Sequence, residues 1–177
     1  MYNFIHALLS NFTLTFFFTG LICSAVAIYR NRHRLTRAFV IEVLFKYYCF
    51  WAQGICWTYN GVMHVVFHKM AAGFIGWADS PFQIEVGVAS LGMGIVGLVA
   101  IKKDFGLRLA LVISTATFLW GAAAGHVYQI ISSGNYAAGN AGVMLYSGLI
   151  MPVISIVLLR LSYISTKSQP NGITALA

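Results

Sequence analysis

Two histidines four residues apart, His64 and His68, stand in "GVMHVVFHKM" at the end of a long apolar run. Residues at i and i+4 share one side of a helix, and imidazole pairs at that spacing bind metals. Two further groups of matching chemistry stand far away in the chain, Glu85 and His126. Imidazole with carboxylate suits Zn, Fe, Mn or Cu, and three or four such ligands make a site. The expectation is therefore a His64, His68, Glu85 and His126 metal centre used for redox chemistry or metal handling. Haem is the less natural case, because it would set His64 or His68 against His126 and leave the carboxylate idle. Asn140 and Tyr146, late in the chain, are candidate supporting groups.

The segment before the pair carries more polar side chains. On a wheel of about 100° per residue, Asn60, Gln53 and Lys46 fall within about 40° of His64, and Trp57 lies beside them. Glu42, one turn before Lys46, joins the stripe and can pair with it. Ionisable groups inside a membrane mark functional pathways. The same groups therefore suit a second reading, a small transporter or proton relay without a fixed metal. A third is a structural subunit whose histidines bond headgroups or backbone and whose chemistry resides in a membrane partner or a second copy.

The setting follows from composition. The chain has 177 residues, 59% hydrophobic and 8% charged, with a mean hydropathy of +0.80. Soluble domains carry about 25% charged residues, so this is an integral membrane protein. The net charge of +7 sits in short segments between apolar runs, with no basic tail or aromatic-interleaved basic patch, which excludes a nucleic-acid binder. Cys23, Cys49 and Cys56 all lie inside apolar segments, form no CxxC pair and read as free thiols. No nucleophile elbow or Ser-His-Asp arrangement is present, which leans away from an enzyme. "GMGIVG" at 92–97 matches a nucleotide-binding pattern in letters only, since no strand precedes it.

Five runs are long enough to span, at about 5–29, 38–69, 81–102, 107–131 and 141–164. They predict an all-α polytopic bundle of five transmembrane helices, a four-helix core plus an N-terminal helix, in one domain. A polar tail over 166–177 is expected to be mobile. "DSP" at 79–81 offers a cap in Asp79 or Ser80 for the third helix. The first helix reads as retained rather than as a cleaved signal, because Arg30, Arg32, Arg34 and Arg37 follow it and no Lys or Arg precedes it. Those arginines, with Lys102, Lys103, Arg108, Arg160 and Lys167, predict N-out, C-in. His64, His68, His126 and Glu85 then fall at one depth near the outer face, with His33 on the cytoplasmic side. Gly87, Gly92, Gly94 and Gly97, and "GAAAG" at 121–125, are expected to let helices approach closely. "WTYNGVMHVVF" and "WGAAAGHVYQI", each running Trp then His near the end of an outward-going helix, suggest a weak duplication.

"SPFQIEVGVASLGMGIVGLVA", residues 80–100, resembles the small DoxX-like bacterial membrane proteins, in which an acidic residue early in a helix is followed by small residues. Here these would be Glu85, then Gly87, Ser90, Gly92 and Gly94. The resemblance covers helices two to five. It implies a compact helical core in a bacterial inner membrane rather than a particular activity.

Overall fold

The computed structural model describes residues 2–102 and 104–167, so Lys103 and the expected tail from 168 onward lie outside the described residues. No strand occurs among them. α1 (Tyr2–Ser10) and α2 (Phe12–Arg30) are separated at Asn11. A 3₁₀ turn at Arg32–Arg34 leads to a long rod of three parts: α3 (Arg37–Tyr47), a π segment (Tyr48–Ile55) and α4 (Cys56–Val66). α5 (His68–Ile75) follows, then α6 (Phe82–Val99), which ends in a 3₁₀ turn at Ala100–Lys102. α7 (Phe105–Ser133), the short α8 (Ala138–Ala141) and α9 (Val143–Lys167) complete the chain.

Five stretches are long and apolar enough to cross a membrane: Phe12–Arg30, Arg37–Val66, Phe82–Lys102, Phe105–Ser133 and Ala138–Lys167. The chain is thus a multi-pass membrane protein. The five expected spans are present, with two corrections. The first expected helix is divided at Asn11. The second ends at Val66, because Phe67 leaves helical geometry at φ −113°, ψ 37°. α5 continues beyond that break as a separate short helix, closed by Gly76 in the left-handed region at φ 77°.

The helices meet through an interior of mixed character. An apolar cluster of Phe45, Tyr48, Cys49, Ala52, Ala100, Leu111, Val112 and Met151 joins the rod to α7 and α9. Large apolar side chains such as Ile22, Ile95, Ile113 and Ile150 lie on the outside, where lipid would meet them. The second half of the rod, from the end of the π segment through α4, packs closest on α6, because glycines oppose each other. A Cβ on Gly97 would lie 2.6 Å from the backbone nitrogen of Gly54, and one on Gly87 would lie 3.0 Å from the carbonyl of Gly61. Lipid offers little drive for helices to associate, so such close approach is a main source of packing. The other expected small-residue contacts differ: Gly92, Gly121 and Gly125 have nothing within 4 Å of where a Cβ would be.

Candidate functional site

The rod carries polar side chains along its whole length, and each buried one has a partner on another element or on the next turn. Near its start, Glu42 receives both arms of Arg108, Nη1 to Oε2 at 2.9 Å and Nη2 to Oε1 at 2.8 Å. Arg108 is 2% exposed. Its Nε donates to the carbonyl of Ala100, and its guanidinium lies 4.7 Å from the centre of the Phe45 ring. The expected Glu42–Lys46 pair is therefore replaced, and Lys46 is exposed.

Mid-rod, Trp57 Nε1 donates to Gln53 Oε1, and Gln53 Nε2 donates to Tyr48 Oη. The Tyr48 hydroxyl donates to the carbonyl of Met151 at 3.0 Å and lies 3.1 Å from Ser155 Oγ. The π segment explains this chain. Its bonds reach five residues back, as from the Cys56 N–H to the carbonyl of Trp51, so residues five apart stack. Tyr48 and Gln53 are five apart. The same widening shifts the angular step, which removes Lys46 from the line of Gln53 and Asn60. Amide and indole groups do not hand protons on readily, so this stretch suits fixing the π segment against α9 better than carrying protons. Further along, Asn60 Nδ2 donates to Ser90 Oγ of α6.

The far end of the rod holds the histidines. His64 Nδ1 lies 2.6 Å from Gln83 Oε1, in the first turn of α6. The break at Phe67 separates His68 from His64, so the expected shared face is lost. His68 instead meets Asp79 in the connection to α6, Nδ1 to Oδ1 at 2.8 Å. Asp79 therefore binds a histidine rather than capping α6, whose N-cap position is Pro81, without a side-chain cap.

His126 belongs to α7, where Asn140 of α8 organises it. Asn140 is 0% exposed. Its Nδ2 donates to the carbonyls of Asn135 at 2.8 Å and His126 at 3.2 Å. Those two bonds fix the amide's orientation and turn Oδ1 to His126 Nδ1 at 2.7 Å. A carbonyl oxygen only accepts, so Nδ1 carries the hydrogen and Nε2 holds the lone pair in the neutral ring. Trp77 stacks on the same imidazole, centroids 5.6 Å apart, and its Nε1–H is buried with no partner among the described residues. Asn135 Nδ2 donates to the carbonyls of Ile75 and Gly76. The connection after α5 is thereby tied to the one after α7.

The expected four-ligand centre is not assembled. Among the described residues no three His, Cys, Asp or Glu side chains are grouped closely enough to hold a metal ion. Glu85 is exposed, beside the exposed Ile84 and Val88, while the buried side of α6 is Gln83, Gly87, Ser90, Gly94 and Gly97. Its carboxylate sits in the first turn of α6, where the helix dipole favours negative charge. Asn140 does support His126, whereas Tyr146 is 61% exposed. The two Trp-then-His stretches differ in their surroundings, with Trp57 buried and Trp120 exposed. Both nevertheless contain a histidine bonded through Nδ1 to an amide oxygen.

Gln83, Arg108 and Trp77 are partners that the expectations did not include. Arg108 carried a signal, as an ionisable group just inside an apolar run. Gln83 carried a weaker one, as a polar residue opening such a run. No curated protein and no solved structure matches the chain. Nothing in these comparisons links it to the DoxX-like proteins. One family model matches residues 10–168, nearly the whole chain. The chain therefore belongs to the family described as "Family of unknown function (DUF6790)".

Proposed function

We propose that this membrane protein handles a transition-metal ion transiently at its histidine end, through Nε2 of His64 and of His126. One observation carries the reading. Both imidazoles spend Nδ1 on an amide oxygen, of Gln83 and of Asn140, which leaves the Nε2 lone pair for a ligand bond. Ligating histidines are oriented in this way by their outer partners. A permanent site takes three or four protein ligands. Imidazoles presented singly suit exchange instead, with water or a cargo anion completing the coordination. Imidazole favours Zn, Cu or Fe, and Mn loses its natural ligand with Glu85 turned away.

We place the chain in a bacterial inner membrane with the histidine end outside. Support comes from the four arginines at the junction of α2 and α3, Arg30, Arg32, Arg34 and Arg37, with Lys102, Arg160 and Lys167 at the same end. Arg108 adds nothing to this balance, because Glu42 neutralises it.

The test is equilibrium dialysis of purified protein against Zn²⁺, Cu²⁺ or Fe²⁺, followed by elemental analysis. A reporter fused to the C-terminus reads orientation, and Soret absorption would reveal a haem. The expected result is saturable, exchangeable binding that His64→Ala combined with His126→Ala abolishes. Binding that survives the double substitution, or is absent up to about 1 mM metal, refutes the proposal. A competing reading rests on the same bonds: they tie the histidines to neighbouring elements, so their role is to hold the end of the bundle together. On that reading the substitutions lower stability and leave metal binding unchanged.

A further inference from the structure

We infer that a groove between α2 and the end of α3 is a binding site for one anionic phospholipid. The groove has a volume of about 370 Å³ and is open to the outside. Ile22, Cys23, Val26 and Ala27 form one wall, and Tyr47 belongs to the other. Arg30 closes the end at the last residue of α2. From Ile22 to Arg30 is about 12 Å along the helix, reaching from mid-span to the edge of the apolar region. The arrangement matches the order of parts in a lipid: acyl chain along the apolar wall, phosphate at the arginine.

Charge argues for an anionic occupant. Arg30 has no ion-pair partner among the described residues. The connection it opens adds Arg32, His33 and Arg34, and α3 begins with Arg37, with no acidic residue among them. Arg32 folds back on the last turn of α2, its guanidinium 4.9 Å from the centre of the Tyr29 ring. A guanidinium grips phosphate with two parallel hydrogen bonds. Basic pockets at helix ends select anionic headgroups, each basic residue contributing about fivefold in affinity. The other arginines, Arg108 and Arg160, stand singly in the chain, so the groove is where chain and headgroup contacts coincide. This site is independent of the histidine end.

Native mass spectrometry of the detergent-purified protein with equal phosphatidylglycerol and phosphatidylcholine tests the inference. One phosphatidylglycerol should be retained at least about fivefold over phosphatidylcholine. Arg30→Gln should bring the two to near parity. Arg160→Gln, at an exposed arginine outside the groove, should keep the preference. Ala27→Phe should fill the apolar wall and lower retention of both lipids. Cys23 supplies a second readout, since it lines the groove while Cys49 and Cys56 are buried. Phosphatidylglycerol should slow maleimide labelling of Cys23, and glycerol phosphate, a headgroup without chains, should not. Equal retention of the two lipids, an unchanged preference in Arg30→Gln, or equal protection by glycerol phosphate overturns the inference.

Discussion

Asn140→Leu separates structural from ligand-binding roles at the histidine end. Asn140 is fully buried and makes three hydrogen bonds, two as donor through Nδ2 and one as acceptor through Oδ1. Leucine is close in volume, so the substitution removes polar bonds without opening a large cavity. Each bond contributes about 1 kcal/mol net, which predicts a loss of about 3 kcal/mol. The same change frees the His126 ring, and losing such an outer partner weakens metal binding by about 10–100-fold. Asn140→Asp is the informative companion. It keeps an oxygen facing His126 Nδ1 but loses both donors, so stability should fall while most metal affinity remains. Unfolding in mixed micelles, followed by tryptophan fluorescence, has a local probe in Trp77, which stacks on His126. A leucine variant within about 0.5 kcal/mol of the parent would refute the stability argument. Equal loss of metal affinity in the leucine and aspartate variants would refute the claim that Oδ1 orients the ring.

Two further outcomes follow from the packing. Glu42→Ala strands a buried guanidinium and should cost about 3 kcal/mol, the low end for a broken buried pair because Glu42 keeps part of its surface exposed. Replacing both Glu42 and Arg108 by methionine should recover much of that in the same unfolding assay, and a double variant weaker than the single would contradict it. Gly97→Ala drives a Cβ to within 2.6 Å of a backbone nitrogen that has no rotamer to move, so a loss of about 1–3 kcal/mol is expected. Gly92→Ala, in open space, should be neutral or stabilising by up to about 1 kcal/mol; similar losses in both would show that close approach is not what Gly97 provides.

The five spans were legible because apolar run length is a direct physical requirement of a bilayer, and charges mark the ends of the runs. The sequence also marked His64, Asn60 and Gln53 as residues facing the interior. It did not assign their partners, for local reasons. A helical wheel assumes one angular step, and the π segment breaks it between Lys46 and Gln53. It assumes continuity too, and Phe67 interrupts that between His64 and His68. Glu85 looked like a ligand from its depth alone, but depth does not determine which way a residue faces. The side of α6 that turns inward is set by glycines fitting against α4, and that side carries Gln83. The DoxX-like pattern rests on the same stretch and now has Glu85 on the outer side of the helix.

The Glu42–Arg108 pair has a consequence for synthesis. The two residues are 66 apart in the chain, and chains grow at about 5–20 residues per second, which leaves the carboxylate waiting for about 3–13 s. Tyr48 waits longer, since Ser155 comes 107 residues later. The rod therefore enters the bilayer with every long-range polar obligation unmet. Whatever shelters it during that interval, water at the insertion machinery or a transient neighbour, belongs to the biogenesis of this fold as much as the finished contacts do.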